Sequence, residues 1–440
     1  MRFSLGPTMN DMICFRRRPV FLALLLLLGL LWTEVSAQEP SQNEPIDDLF
    51  TRPALLDWPG GPKEMLKEFG IGLDLSLTQF YQGVTSGDAD KTWQYGGKID
   101  AIATIDAHKL HLWRGLTVKI HQEGIYGDDA NAQGAGTTLP ENTAMAIPKL
   151  GGRDFETSIV VNQQFDRGFT VSLGKFNMIE TASRTPLLGG GGVDTFMNTA
   201  FAAPITGVTP PYLIGGLLSV RTEPATFGLF IYDPRNAQNS DVLKSPFDDG
   251  VTFSLSTSVP IQIFGRRGFQ NVRGVYSTQE GIDLRDVPQL LLPPELRNEP
   301  RKKSRYWYFS YAFQQYLFHD ESDPSRGWGL FGEIGVSDGN PNPLSGHIFV
   351  GVGGNSFIPQ RAEDRWGLGY FIYYLSDHLR DAAREDLGIR SDKEEEGVEA
   401  FYNLAVTQWF RLTADFQVIN PFPSDKDEAF LAGLRLQTKF

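Results

Sequence analysis

The sequence has almost no cysteine. Among 440 residues the single one is Cys14, ahead of an apolar run near the amino end. Without a second thiol the chain has no internal disulfide, and its fold must stand without covalent staples. Long apolar runs are equally scarce. After Ala37 none reaches the roughly 20 residues that a membrane-spanning helix needs. The familiar catalytic signatures are missing too, with no G-x-S-x-G, H-E-x-x-H or C-x-x-C anywhere. His319 and His378 lie in loop-like stretches without an evident partner. No enzyme, cofactor or metal centre is therefore expected. Basic charge is outweighed, with 40 Lys and Arg against 53 Asp and Glu, for a net −13. Residues 1–37 carry four Arg against Asp11 and Glu34, a net +2, so the remainder carries −15. That balance argues against a nucleic-acid partner.

The amino end has a pattern of its own. Arg16, Arg17 and Arg18 precede a leucine-rich run from Val20 to Leu31, followed by Val35, Ser36 and Ala37. A charged region, a short apolar region and a small-x-small site predict a Sec signal peptide over 1–37 and an exported chain. An uncleaved anchor is the alternative, and the run is short for it. Cys14 precedes the apolar region, so it is not placed for lipid attachment. Residues 38–70 read as a periplasmic N-terminal segment. Within it PKEMLKEF, over 62–69, predicts a short helix with Pro62 in the first turn and Gly70 as its stop.

From Ile71 onward the apolar period is two, not 3.6. Ile71, Leu73, Leu75 and Leu77 alternate with Gly72, Asp74, Ser76 and Thr78, and the same alternation recurs to the chain end. Sixteen such segments can be counted, the first at 71–82, the eighth and ninth at 250–259 and 269–279, and the last at 429–440. Most are near the roughly 9–11 residues of a tilted transmembrane strand, and the count is even. Connections after even-numbered segments are short, as at Asp166–Gly168 and Thr222–Ala225. Those after the first, third, fifth, seventh, ninth and thirteenth are mostly long, as at Gly127–Arg153, Met178–Pro211, Gly281–Lys303 and Asp377–Glu396. That sorting is what short periplasmic turns and long extracellular loops produce. The expected fold is all-β, a 16-stranded antiparallel up-and-down transmembrane β-barrel over 71–440. A secreted β-sandwich that binds carbohydrate is the soluble alternative.

The closing segment AFLAGLRLQTKF condenses the argument. Phe430, Ala432, Leu434 and Leu436 take one parity, while Arg435, Gln437 and Lys439 take the other. An apolar face toward lipid and a polar face toward a water-filled lumen predict the strand that pairs with the Ile71 strand and closes the barrel.

Several stretches resemble the carbohydrate-selective porins of the OprB family. They are LDWPGGPKEMLKEFGIG (56–72), LGKFN (173–177), GWGLFGEIGVSDGNPNP (327–343) and the closing strand. The resemblance implies a Gram-negative outer-membrane porin that passes glucose and related monosaccharides by facilitated diffusion. It also implies outer-membrane lipid around the barrel and recognition of the terminal aromatic by the barrel-assembly machinery. A homotrimer or a monomer both fit. A general, non-selective porin is the alternative reading.

A sixteen-stranded barrel leaves an aqueous channel, so selection needs a constriction. The candidates are the loops over 127–153 and 178–211. The second carries Glu180, Arg184 and four consecutive glycines, Gly189–Gly192, read as backbone that bends tightly inside the lumen. Facing it, strands two to five present Lys98, Asp100, Lys119, His121, Glu123 and Glu156, with Lys175 and Asn177 at the rim. Mixed charges across a pore offer donors and acceptors to sugar hydroxyls. Phe331, Phe371 and Phe401 are expected to turn inward as stacking surfaces for sugar rings, with Glu333 as a further lining residue. The acidic run Asp392–Glu396 reads as a solvated loop face, and Arg435 as a residue facing water.

Overall fold

The computed structural model describes residues 48–440 apart from 150–151, 239–240, 292, 294, 296, 321–322, 324–325, 389 and 393. The expected signal peptide lies outside the described residues. Sixteen strands form one sheet: β1 (Ile71–Ser86), β2 (Gln94–Asp106), β3 (Leu116–Gly127), β4 (Phe155–Gln164), β5 (Phe169–Asn177), β6 (Tyr212–Arg221), β7 (Thr226–Tyr232), β8 (Thr252–Ile263), β9 (Arg266–Ile282), β10 (Lys302–His319), β11 (Gly327–Ser337), β12 (Leu344–Asn355), β13 (Arg365–Leu375), β14 (Glu394–Ala405), β15 (Phe410–Asn420) and β16 (Ala429–Lys439). Each pairs antiparallel with its sequence neighbours, and β1 pairs with β16, so the sheet closes. Closure rules out the sandwich alternative, which would leave two sheets with free edges.

The period-2 pattern sets the two faces. On β16, Phe430 and Leu434 point outward and are exposed, while Leu431, Gly433, Arg435 and Gln437 point inward and are buried. Outward Leu255, Leu368 and Phe416 continue the apolar exterior around the wall. No helix among the described residues is long and apolar enough to cross a membrane. The short helix α1 (Pro62–Glu68) lies before β1, as its proline start predicts.

Two strand-end expectations need correction. The hairpin read as 250–259 and 269–279 runs further, to a turn at Phe264–Gly265. Pro260 lies inside β8. Yet β7 reaches only to Ser258 opposite β8, so beyond it a missing N–H costs no ladder bond on that side. The sorting of connections by length is also looser than expected. Residues 338–343 join β11 to β12 on the long-loop side, while 107–115 and 356–364 are longer spans at the opposite end.

The lumen is not left to water. The loop between β3 and β4, L2 below, carries α2 (Thr143–Ala146). The loop between β5 and β6, L3 below, carries α3 (Met178–Ala182) and α4 (Thr199–Ala202). All four α4 residues are buried, as are all four of α2. The two loops bond to each other, Thr143 N to Met197 O at 2.8 Å and Thr199 N to Pro140 O at 3.0 Å.

Candidate functional site: a charged cluster under loop L3

Strand register explains why charges gather on one stretch of wall. Asp100 pairs across from Glu123, and Glu123 from Glu156, so three inward carboxylates occupy one level of β2, β3 and β4. Like charges in directly opposed positions repel, and burial raises that cost. The neighbouring cations offset it. Lys98 Nζ lies 2.7 Å from Glu123 and 3.6 Å from Asp100. Lys175 Nζ reaches Glu156 at 2.5 Å, and His121 Nε2 reaches Asp100 at 2.9 Å. The Asp100, His121 and Glu123 ligand atoms fall within 4.8 Å of one another, a spacing a metal ion could use. Lys98 already supplies the positive charge at that place.

L3 adds the facing half. Asn177 caps α3, its side chain accepting from Glu180 N at 3.1 Å, and it donates to Glu123 at 2.9 Å. The cap fixes where Glu180 points. Glu180 pairs with Lys119, stands 3.4 Å from His121 Nδ1, and takes Arg184 at 2.9 Å one turn later. Lys98, Asp100, Lys119, His121, Glu123, Asn177, Glu180 and Arg184 therefore form one connected network, and the Lys175–Glu156 pair stands beside it in register with Glu123. Arg184 is its exposed member. Tyr212, at the start of β6, donates its hydroxyl to Glu123 and is fully buried. The sequence carried no signal for Tyr212, because its approach depends on β5–β6 register across the whole of L3.

Phe331 and Glu333 stand apart from this network. Phe331 is completely buried, its ring 5.6 Å from Phe196 of L3. Phe401 packs 4.8 Å from Phe196, and Phe371 packs 5.7 Å from Phe201. The inward phenylalanines are thus covered by L3 and are not open to the lumen. A barrel this wide has apolar inward positions that a loop must cover. Gly369 on β13 makes room for that loop, since a Cβ there would meet the Phe201 ring at 2.6 Å. Glu333 accepts from the Tyr308 hydroxyl at 2.8 Å and lies 3.5 Å from His347, a separate polar group on β10–β12.

Polar bonds hold L3 against the same wall. Arg435, expected in water, is 0 % exposed and donates to the carbonyls of Gly192 at 2.9 Å and Thr195 at 2.8 Å. Glu399 accepts from Met197 N and Asn198 N at 2.5 and 3.0 Å. Asn403 donates to Asp194 O at 3.0 Å, and Gln314 accepts from Leu187 N at 2.9 Å. Gly190, Gly191 and Gly192 all have positive φ, so the four-glycine run does bend backbone that L side chains would strain. Glu395 corrects the reading of the acidic run as a solvated face. It is 0 % exposed and accepts from Thr138 N at 2.7 Å and Leu139 N at 2.9 Å of L2.

L2 holds one acid outside the strands whose chemistry is shifted. Burial pushes the Glu141 carboxyl up to about 7, with Glu395 and Asp129 adding repulsion and the Thr137 hydroxyl opposing it. A raised folded-state value penalises only the ionised form. The docking of L2 is therefore undiminished below the ordinary carboxylate range, weakens as pH rises toward 7, and is level above it. Proteolysis of L2 in the folded barrel should be faster at pH 8 than at pH 5. Glu141→Gln should flatten that dependence; an unchanged pH profile in the variant would assign it to another group.

One cavity joins these parts. Its volume is about 460 Å³, and its lining includes Ser76, Lys98, Asp100, His121, Asn177 and Glu180. A closed sixteen-stranded barrel with an apolar exterior and charged side chains on its inner wall is the fold of an outer-membrane porin. The chain belongs to the carbohydrate-selective porin, OprB family, whose profile matches residues 90–440. Porin B of Pseudomonas aeruginosa is 27% identical over 183 residues, which cover 38% of this chain and 39% of that protein. The match thus spans well under half of that relative's length. Among solved structures, the high-pH structure of Pseudomonas putida OprB has a TM-score of 0.74 at 20% identity, covering 87% of this chain and 97% of that one. The low-pH structure of the same protein has a TM-score of 0.52 at 15% identity, covering 89% and 99%. These likenesses are to the fold.

Proposed function

We propose that the protein lets glucose and related monosaccharides diffuse passively across the outer membrane, through a barrel narrowed by L2 and L3. The observation that carries this reading is the cavity under α3, where Asp100, Glu180, Lys98 and Asn177 supply acceptors and donors around one opening. A sugar presents hydroxyls that both donate and accept, so alternating carboxylates and amines match it better than a wall of one sign. The volume falls within the roughly 300–1,000 Å³ of small-ligand sites. Family membership supports carbohydrate as the solute class, and the likeness to Porin B of Pseudomonas aeruginosa supports a porin.

Folded protein in liposomes should admit monosaccharides faster than a neutral amide or a charged solute of equal size. In planar bilayers it should open an ion-conducting channel that added glucose partly blocks. Absence of conductance from folded protein would contradict a porin. Equal rates for sugar and amide would make it a general porin.

A further inference from the structure

The lower end of the cavity, where β1 starts and β16 ends, is not built by barrel wall alone. Asp57 and Lys63 of the pre-barrel segment line it, together with Lys439 and Phe440 of the seam and Asp194 of L3. The segment is tied down across the closing strands. Leu55 N donates to Lys439 O at 2.9 Å, Lys63 Nζ to Phe440 O at 2.7 Å, and Trp409 Nε1 to Leu49 O at 2.8 Å. Two ion pairs stand in this part of the lining. Lys63 meets Asp57 at 2.6 Å within the strap, and Lys439 meets Asp194 at 3.8 Å between seam and loop.

We infer that the strap over 53–63 is a second sugar-contacting station, reached after the cluster under α3. Resting on the sugar-channel reading above, the proposal extends the path to residues ahead of the matched family region, which begins at 90. The chemistry repeats that of the upper cluster. A carboxylate accepts and an ammonium donates within one short span, a pattern that neighbouring sugar hydroxyls can bridge. Lys63 is held in place by Asp57 and the Phe440 oxygen, so its charge is positioned before a solute arrives. Preorganisation of that kind is what makes a polar contact count toward binding. Both partners retain access to the cavity, with side chains 13% and 32% exposed.

Asp57→Asn keeps the shape and can still accept from Lys63, so the strap should stay attached; Lys63→Gln removes the ammonium. Each full-length variant would be tested in planar bilayers with glucose added on the strap side. Folding would be checked by heat-modifiable migration on gels. The half-blocking glucose concentration should rise about threefold to tenfold in either variant, the loss of one hydrogen bond of ordinary net strength at a partly exposed site. Wild-type values in both variants would overturn the second station and leave the sugar channel standing. If the wild-type protein itself shows no block by glucose, the sugar-channel reading fails and the station falls with it.

Discussion

Arg435→Met is expected to release L3 from the wall, raising ion conductance and abolishing discrimination between sugars and other small solutes. Arg435 is fully buried and gives two bonds to L3 carbonyls, with a third to Thr413 at 3.2 Å. Asp415, Glu399 and Asp194 are near enough to interact with its charge. Methionine fills much of the space but leaves those acids without their buried counter-charge. Removing one side of such an arrangement costs about 3–5 kcal/mol. The strand ladders from β1 to β16 are untouched, so the loss should appear first in the loop and only second in the barrel. Single-channel conductance should rise while the folded, heat-modifiable form persists. Arg435→Lys should fall between the two, because an ammonium keeps the charge but not the planar fork that reaches both the L3 carbonyls and the Thr413 hydroxyl. If Arg435→Met conducts and selects like the wild type, L3 is held by its aromatic anchor and its remaining polar bonds without help from Arg435.

The sequence already carried most of the barrel. Period-2 alternation fixes which side chains face lipid, so β16 could be read as the seam with its inward and outward residues assigned correctly. Strand ends were harder: β8 runs on past Ser258, where its pairing with β7 ends, because β9 continues to pair with it. The charged wall was legible as a group, since Lys98, Asp100, His121 and Glu123 share the inward parity on neighbouring strands. What filled the lumen was not legible. Parity says that Arg435, Glu395 and Phe331 point inward, but not whether they meet water or a returning loop. Their partners Gly192, Thr138 and Phe196 lie far away in sequence, and no local pattern joins them. Of the strap, the sequence made the helix legible. Its place beside the cavity depends on bonds to the seam, hundreds of residues further along.

Lys98→Met should make the channel markedly more cation-selective and less stable, and a second substitution, Glu123→Gln, should restore much of both. Lys98 is buried and stands between Asp100 and Glu123. Without it, adjacent carboxylates at one level of the wall face each other, with His121 beside Asp100 and Lys175 and Arg153 beside Glu156. The cost of an uncompensated buried charge is about 3–5 kcal/mol, and here it would be raised by the direct opposition of Asp100 and Glu123. Glutamine at 123 removes one of the two charges while keeping an amide that can bond Asn177 and Tyr212. The double variant should therefore lose less stability than the sum of the two single variants, by about 1–3 kcal/mol of coupling. Reversal potentials in a salt gradient would report selectivity, and thermal conversion of the folded band on gels would report stability. Additive losses would show that Lys98 and Glu123 act independently despite their 2.7 Å separation. The cluster would then be a set of separate wall charges. Coupling with a matching return of selectivity would make the pair one unit, neutral as a whole yet polar at every point a hydroxyl can reach.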